Sequence, residues 1–346
     1  METFEIAIEQ TGTHTVALEK AVHTDTLNDR KGYDPAFLGT ALSLPKLKAG
    51  EENDLPVLTS GIGPNGDRIL DYTHFSIAFN TAKKMPYYTA VNIYGKTNML
   101  GMVHEERDSD SWYQDERISS RRGTVQYGNK DYKGSGFAKG HLVRYYDPAW
   151  GSAEVSKIAI GDTFHYTNAC PQIPYFNGVV WNYLEDYCIA RSIFQDNKIT
   201  LFAGPIFNKA RQINGLLAPM NFWKILVYEK EGQLRALGFL MSQEPYLSKL
   251  KPKPSALEKV LKQVQPTLTR ADIERLFKKQ ELFTARIKIA LIEEKTGLSF
   301  GLNAADEYRD KGQYEGEPIN QPGGGMEKSL APQMSPAQLS EFLKAL

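Results

Sequence analysis

The strongest constraint on the fold lies in residues 135–191, where a glycine–histidine segment precedes a helical segment with polar residues at a fixed spacing. The first piece, GFAKGHLVR, contains His141. The second piece, FNGVVWNYLE, contains Asn177 and Glu185, and the linking segment 163–172 reads TFHYTNACPQ. We expect these three pieces to form one site, with the rest of the chain arranged around it.

His141 is the residue of the first piece that can do chemistry near neutral pH. It follows a glycine at the end of a basic segment, which predicts an exposed side chain, and a neutral imidazole can take a proton from water near pH 7. A histidine taken alone is more often structural than catalytic. We assign the structural role to the other histidines: His14, His23, His74, His104 and His165.

The second piece has a helical pattern of apolar residues over residues 177–195. Eight residues of an α-helix advance about 800°, which leaves two side chains about 80° apart and about two turns along the helix. Asn177 and Glu185 can therefore face one side, with Trp181 between them as a floor. An amide oxygen and a carboxylate suit a hard ion such as Mg²⁺. The alternative is that Asn177 is a helix N-cap.

The net charge of zero weakens an interpretation as a nucleic-acid-binding protein, because such proteins usually carry a basic excess. Residues 117–144 nevertheless form a local basic run in which Asp131 is the one acidic residue. A solvated loop is the alternative, but the run continues into the His141 segment. Its basic residues are Arg117, Arg121, Arg122, Lys130, Lys133, Lys139 and Arg144.

The composition predicts an ordinary globular protein, because 41% of the 346 residues are hydrophobic and 24% are charged. Two cysteines, Cys170 and Cys188, are too few for a disulfide framework. The N-terminus lacks the pattern of a secretory signal, and no apolar run reaches the ~20 residues of a membrane helix. We expect a cytoplasmic protein without membrane contact, and export by a signal-independent route stays open.

Turn residues and periodicity predict three regions: a turn-rich N-terminal arm over residues 1–69 that partly wraps the core, a core over residues 70–310, and a polar linker with a short terminal helix over residues 311–346. The terminal helix either packs on the body or docks to a partner. Predicted strands are 75–79, 87–94, 158–166, 198–203, 222–228 and 235–241, with a loop through Pro171 and Pro174. Predicted helices are 177–195, 255–263, 270–279 and 284–294.

These segments resemble the DNA/RNA non-specific endonucleases, the ββα-metal nucleases that include endonuclease G. The family's loop and helix patterns match here at Thr163, Phe164, Thr167, Asn168, Pro171, Gln172, Asn177, Trp181, Leu184 and Glu185. The resemblance covers about residues 30–300. It implies an α+β ββα-metal fold, with a central, mostly antiparallel sheet flanked by helices, an N-terminal arm and a C-terminal tail.

The resemblance also implies roles for individual residues. His141 would be the general base, and Asn177 would bind Mg²⁺ directly, with Mn²⁺ as a substitute. Glu185 would hold a water of the metal's hydration shell, and Asn168 would support the site. Among the basic residues, Arg117 and Arg144 would bind substrate phosphate, and Lys139 would offset negative charge in catalysis.

The sequence departs from the family in one place, because the family's Asp-Arg pair before Gly-His is Ala138-Lys139 here. The missing carboxylate could orient the site, and lysine lacks the bidentate geometry of arginine. Three hypotheses follow: a metal-dependent endonuclease acting on DNA and/or RNA, a nucleic-acid-binding module on a degenerate nuclease fold, and a phosphodiesterase of small substrates or lipids. The implied partners are the nucleic acid, a second copy in a homodimer, and a regulatory or inhibitor protein.

Overall fold

The computed structural model describes residues 27–58, 60–97, 111–118, 126–192, 197–250, 284–310 and 316–318. The predicted helices 255–263 and 270–279 and the terminal helix lie outside these ranges, as do His14, His23, His104, Arg121 and Arg122. The strands are β1 (Leu70–Asp71), β2 (Phe75–Asn80), β3 (Met85–Tyr94), β4 (Ala138–His141), β5 (Ala169–Gln172), β6 (Lys198–Ile206), β7 (Arg211–Ile213), β8 (Leu216–Ala218), β9 (Asn221–Lys230), β10 (Gln233–Ser242), β11 (Thr284–Ile287) and β12 (Gly316–Pro318). The α-helices are α1 (Asn129–Tyr132), α2 (Ala153–Thr163), α3 (Asn182–Arg191) and α4 (Ile289–Thr296), and a π-helical segment, Phe176–Trp181, leads into α3.

Eight strands form one antiparallel sheet in the order β1-β2-β3-β6-β9-β10-β11-β12. Two separate pairs, β4-β5 and β7-β8, lie beside it. The chain is thus an α+β protein with a mostly antiparallel sheet, which confirms the predicted fold class. The pair β4-β5 and the helix after it form a ββα unit.

The large sheet is buried on both faces because each central strand alternates between two cores. In β9, Phe222 and Leu226 belong to the core that also contains the π-helical segment and α3. Trp223, Ile225 and Val227 belong to the opposite core, which contains α4. The helix that carries the predicted metal residues therefore packs on one face of the sheet.

The arm preceding the core covers the opposite face. Tyr33, Phe37, Leu38 and Leu42 are buried in the core that contains α4. The Tyr33 backbone N–H donates to Ser76 Oγ at 2.7 Å, which fixes the arm to β2. The exact division of the chain at residues 69 and 310 stays a prediction.

The predicted strand over residues 158–166 is wrong, because most of it belongs to helix α2. Ser152 begins this helix, and its side chain accepts a hydrogen bond from Val155 N at 3.2 Å. The buried positions recur at three- and four-residue steps, which is a helical period. They are Ser156, Ala159, Asp162 and Thr163.

Two other predicted boundaries are also wrong. The segment expected to be a loop through Pro171 and Pro174 contains β5, because residues 169–172 pair with β4. The helix predicted over residues 284–294 is instead strand β11 followed by α4. The end of the predicted helix, at residues 295–297, agrees with the structure. Helix α4 ends at Thr296, and Gly297 follows in the left-handed conformation that favours glycine. In the described parts of the chain, every helix is too short or too polar to cross a membrane.

The cap of α2 gives a stability prediction. Replacing Ser152 with Ala should lower the free energy of unfolding by about 1 kcal/mol, because Val155 N loses its acceptor. Ser152→Asn, which keeps a capping oxygen, should stay close to the wild type. Urea unfolding of the three proteins checks this, and an unchanged midpoint for Ser152→Ala would contradict it.

Candidate active site

Strand alternation in β4 decides which residues share a face with His141. Successive side chains of a strand point to opposite faces, so Lys139 lies on the same face as His141 and Ala138 lies on the other. The opposite face is occupied by Gln172, because a Cβ added at Gly140 would lie 2.1 Å from its Oε1 atom. A carboxylate at position 138 would therefore face away from the imidazole. Of the two residues that depart from the family's pattern, Lys139 is the one on the face of His141.

Aromatic side chains surround the His141 imidazole. The ring centroids of Trp112 and Phe164 lie 4.5 and 4.9 Å from that of His141, and Tyr145 lies at 6.4 Å. The Lys139 ammonium lies 5.6 Å from the Trp112 ring centroid. The His141 side chain is half-buried and its Nε2 atom is buried, so it is less exposed than predicted, and aromatic packing orients the ring.

Asn168 fixes the turn that follows His141. Its amide nitrogen donates to the carbonyl oxygens of Val143 and Thr163, both at 2.9 Å, and its amide oxygen accepts from Val143 N at 2.9 Å. The residue is fully buried. Because both ends of the amide are bound to backbone, Asn168 can support the site as predicted but is not placed to react with a substrate.

The helix that carries Asn177 and Glu185 differs from the regular α-helix that was predicted. Asn177 lies in the π-helical segment, where Asn182 N donates to the Asn177 carbonyl five residues earlier. A π turn contains more residues than an α turn, so each residue advances less around the axis. The angle between Asn177 and Glu185 therefore shrinks from the α-helical 80° towards alignment, which favours a shared site.

Trp181 joins the two pieces of the site. Its indole Nε1 donates to the His141 carbonyl oxygen at 3.0 Å. Trp181 is 1% exposed, and its ring packs 5.7 Å from that of Phe222 on the sheet. Trp181, which was predicted to lie between Asn177 and Glu185, thus connects the helix to the sheet and to the strand that ends in His141.

A cluster of buried charges lies behind the helix. Glu185 is 5% exposed, with Lys224 Nζ 3.7 Å from its Oε1 atom and Arg144 Nε 3.9 Å from its Oε2 atom. Arg144 also donates to Asp186 Oδ1 at 2.5 Å, and its backbone N–H donates to Asp147 Oδ2 at 3.1 Å. With all five side chains ionised, two positive and three negative charges leave one net negative charge.

Burial dominates the titration of this cluster. It raises the pKa of Glu185 to about 7, against the opposing charges of Lys224 and Arg144, and the nearby Asp147 and Asp186 add to the rise. Burial also raises the pKa values of the two aspartates. The cluster therefore responds to any added positive charge, which would favour the ionised carboxylates.

The two predicted phosphate-binding arginines are both buried in ion pairs. Arg117 Nη2 lies 2.6 Å from Asp115 Oδ2, and its Nη1 donates to the Asp71 carbonyl oxygen at 2.9 Å. The Arg144 guanidinium is bound to carboxylates as described above. Both guanidinium groups are therefore bound within the protein. Among the described residues of the basic run, these two arginines do not add to an exposed basic surface.

The residues at this position fit a single hard cation. Asn177 offers a half-exposed amide and Glu185 a carboxylate whose Oε1 is buried without a hydrogen bond among the described residues. No cluster of three or more His, Cys, Asp or Glu side chains that could hold a metal occurs in the described part of the chain. Mg²⁺ retains most of its water and needs few protein ligands, so this donor set suits it.

Sequence reasoning missed Trp112, Lys224, Asp147 and Asp186. Lys224 had a detectable signal, because it interrupts the apolar run of a strand predicted over residues 222–228. Trp112 had none, since its proximity to His141 depends on tertiary packing. The two cysteines, Cys170 and Cys188, are buried free thiols.

Comparisons with known proteins place this geometry in a family context. Residues 54–307 match the family model described as DNA/RNA non-specific endonuclease. Uncharacterized protein y4fB of Sinorhizobium fredii is 35% identical over 239 residues, covering 65% of this chain and 35% of that protein. Endonuclease G, mitochondrial, of Bos taurus is 30% identical over 154 residues, covering 40% of this chain and 48% of that protein.

Two further matches are more distant. Nuclease 1, mitochondrial, of Schizosaccharomyces pombe is 27% identical over 186 residues, covering 49% of this chain and 54% of that protein. A crystal structure of the EndoG/EndoGI complex aligns with a TM-score of 0.48 and 17% identity, covering 68% of this chain and 86% of that chain. The chain thus spans about a third to a half of the length of the curated relatives named here.

The burial of Arg117 predicts that its role is structural. Arg117→Met should lower the free energy of unfolding by about 3 kcal/mol, because the buried Asp115 loses its counterion. Lys130→Met, which removes an exposed charge from the same basic run, should change it by less than about 0.5 kcal/mol. Urea unfolding measures both. A stable Arg117→Met protein whose nucleic-acid affinity is less salt-dependent would instead show a phosphate contact.

The raised pKa of Glu185 predicts how stability depends on pH. Between about pH 5 and about pH 7 the folded protein keeps a proton that the unfolded chain has lost, so the free energy of unfolding falls as pH rises. Glu185→Gln should flatten this decline by up to about 3 kcal/mol. The exposed Glu294→Gln should not. Unfolding curves in chelator at both pH values test this, and a wild-type slope in Glu185→Gln would contradict it.

Proposed function

The chain belongs to the DNA/RNA non-specific endonuclease family, and we propose that it hydrolyses phosphodiester bonds in DNA and RNA with the help of a divalent metal ion. The observation that carries this proposal is the hydrogen bond from Trp181 Nε1 to the His141 carbonyl oxygen. It connects the strand that ends in His141 directly to the helix of Asn177 and Glu185. A base and a metal site can then act on the same phosphate.

His141 would act as the general base. Its imidazole would take the proton of the water that attacks phosphorus, which requires a neutral ring near pH 7. The packing of Trp112 and Phe164 limits rotation of the ring. The hydrogen bonds of Asn168 fix the next turn of the backbone, so the imidazole would be held in place before substrate binds.

Asn177 and Glu185 would hold Mg²⁺, with Mn²⁺ as a substitute. When bound, the ion would neutralise charge on the scissile phosphate and stabilise the leaving 3′ oxygen. The amide of Asn177 would supply an oxygen ligand. The cluster that includes Glu185 carries one net negative charge when all its members are ionised, which would favour a cation at this place. Arg144 would restrain Glu185 and Asp186 rather than contact the substrate, because it is bound to both.

Lys139 would offset the charge that develops on the phosphate. It shares the His141 face of β4 and is half-buried beside Trp112 and Tyr166. An ammonium gives a point charge without the paired donors of a guanidinium. Contacts of this kind bind the backbone of nucleic acid rather than base edges, so we expect little sequence specificity and strong salt dependence. Because the 3′ oxygen would be the leaving group, we expect products with 5′-phosphates.

The experiment that tests the function is digestion of plasmid DNA and of RNA, side by side, with Mg²⁺ or with chelator. Cleavage of polymer that stops in chelator supports the proposal. Binding without Mg²⁺-dependent cleavage would instead favour a binding module on the nuclease fold. Turnover of a small diester without cleavage of polymers would favour a small-substrate phosphodiesterase. The homodimer, the regulatory or inhibitor protein and the cytoplasmic location stay predictions.

His141→Ala should lower kcat by about 100-fold or more, because the attacking water loses its base. Affinity for DNA should stay within about threefold of the wild type, since the imidazole is not proposed to bind the backbone strongly. His165→Gln serves as the matched control, because that imidazole bonds the Asp162 carbonyl oxygen instead. Steady-state kinetics and filter binding measure both quantities. Activity of His141→Ala within about tenfold of the wild type would exclude His141 as the base.

A further inference from the structure

Lys224 is a fully buried cation behind the proposed metal site, on a strand whose other buried residues are apolar. We infer that Lys224 is a positioning residue: its ammonium holds Glu185 and Trp181 against the sheet and thereby sets the helix that presents Asn177. The inference rests on the proposed function, since it concerns how the same site is held together.

The position of Lys224 follows from the alternation of β9. Phe222 and Leu226 lie two residues away on either side and belong to the core beneath the helix, so Lys224 points to that face. Its neighbours in register are Ala203 on β6 and Phe239 on β10. The small Ala203 leaves room beside the long side chain, and the middle of an eight-stranded sheet gives it no path to solvent.

The ammonium contacts two residues of the metal-binding helix at once. Nζ lies 3.7 Å from Glu185 Oε1 and 4.5 Å from the centroid of the Trp181 ring. The second contact is a cation–π interaction, which is stronger when the partners are desolvated. Trp181 and Glu185 follow Asn177 by four and eight residues, so one cation fixes the helix at two successive turns.

The attraction between Lys224 and Glu185 is electrostatic. Their separation exceeds a normal hydrogen bond, and among the described residues neither Nζ nor Oε1 has a hydrogen-bond partner. Three further charged groups face the pair: Arg144 beside Oε2, and the carboxylates Asp147 and Asp186. Lys224 is thus the cation on the Oε1 side of Glu185, whereas Arg144 lies on the Oε2 side.

A positioning role and a purely electrostatic role of Lys224 predict opposite changes in metal affinity when Lys224 is replaced by an uncharged residue. Removing a positive charge near a cation site would strengthen metal binding if charge alone mattered. If Lys224 positions Glu185, its removal frees that carboxylate and the Trp181 ring, and metal binding weakens. The direction of the change in metal affinity therefore separates the two explanations.

The test compares Lys224→Met, which keeps the length and apolar stem, with Lys224→Arg, which keeps the charge. Lys198→Met is the matched control, because Lys198 also packs on aromatic rings of the sheet, against Phe37 and Tyr94. Binding of Mn²⁺ is measured on the full chain by electron paramagnetic resonance of the free ion, without nucleic acid. Values of kcat and KM on DNA and thermal unfolding are measured in parallel.

We expect Lys224→Met to bind Mn²⁺ about tenfold or more weakly and to lose kcat by a similar factor, as loss of a supporting residue typically does. KM for DNA should stay within about threefold, Lys224→Arg should recover part of the affinity, and Lys198→Met should match the wild type. In a Glu185→Gln background, Lys224→Met should have a smaller further effect than in the wild type, because only its contact with the Trp181 ring is left to lose. This double variant removes both partners of the buried pair, so we expect it to be destabilised less than Lys224→Met alone, and thermal unfolding measures both.

Tighter or unchanged Mn²⁺ binding by Lys224→Met would overturn the inference, and so would an equal loss in the wild-type and Glu185→Gln backgrounds. A wild-type protein that neither binds Mn²⁺ nor cleaves DNA would reject the proposed function instead. Active wild type with an unaffected Lys224→Met rejects only the role of Lys224.

Discussion

The hydrogen bond from Trp181 Nε1 to the His141 carbonyl oxygen is the contact on which the candidate site depends. His141 ends a two-stranded sheet that is separate from the large sheet. The strand-to-strand hydrogen bonds of the large sheet therefore do not connect His141 to the helix. A buried indole can donate one hydrogen bond while its ring packs on the core, and Trp181 does both. The covalent spacing of Asn177, Trp181 and Glu185 along the helix then carries this restraint to both proposed metal residues.

The second constraint is that the helix rests on charge as well as on apolar surface. Lys224, Arg144, Glu185 and Asp147 are buried in a layer that in most cores would be hydrophobic, and the partly exposed Asp186 lies beside them. Burying them is costly unless each has an opposite charge nearby. The net charge of zero is compatible with this arrangement, because several basic residues are paired with carboxylates inside the protein. Among its described residues, the basic run therefore contributes to the candidate site through Arg144 and Lys139.

The fold class was predicted from the resemblance to a family. Five strands of the large sheet, β2, β3, β6, β9 and β10, were predicted from their residue patterns, because those patterns are local. Helix α2 was mistaken for a strand, since its buried residues include Ser156, Asp162 and Thr163, which pattern reading counts as polar. The buried Asp162 is explained by its ion pair with Arg30, 132 residues away, and by hydrogen bonds from the Thr73 backbone and hydroxyl. A partner distant in sequence, Glu185, also explains why the role of Lys224 was not predicted.

The departure at residues 138–139 can now be weighed by geometry. Ala138 faces Gln172 and not His141, so a carboxylate there could influence the imidazole only through the backbone or through Gln172. Lys139 does share the His141 face and keeps a positive charge beside Trp112. What the chain lacks is the second donor of a guanidinium, which in a bidentate contact fixes the orientation of a phosphate. The consequence falls on how firmly a substrate is oriented, while the proposed base and the proposed metal residues are unchanged.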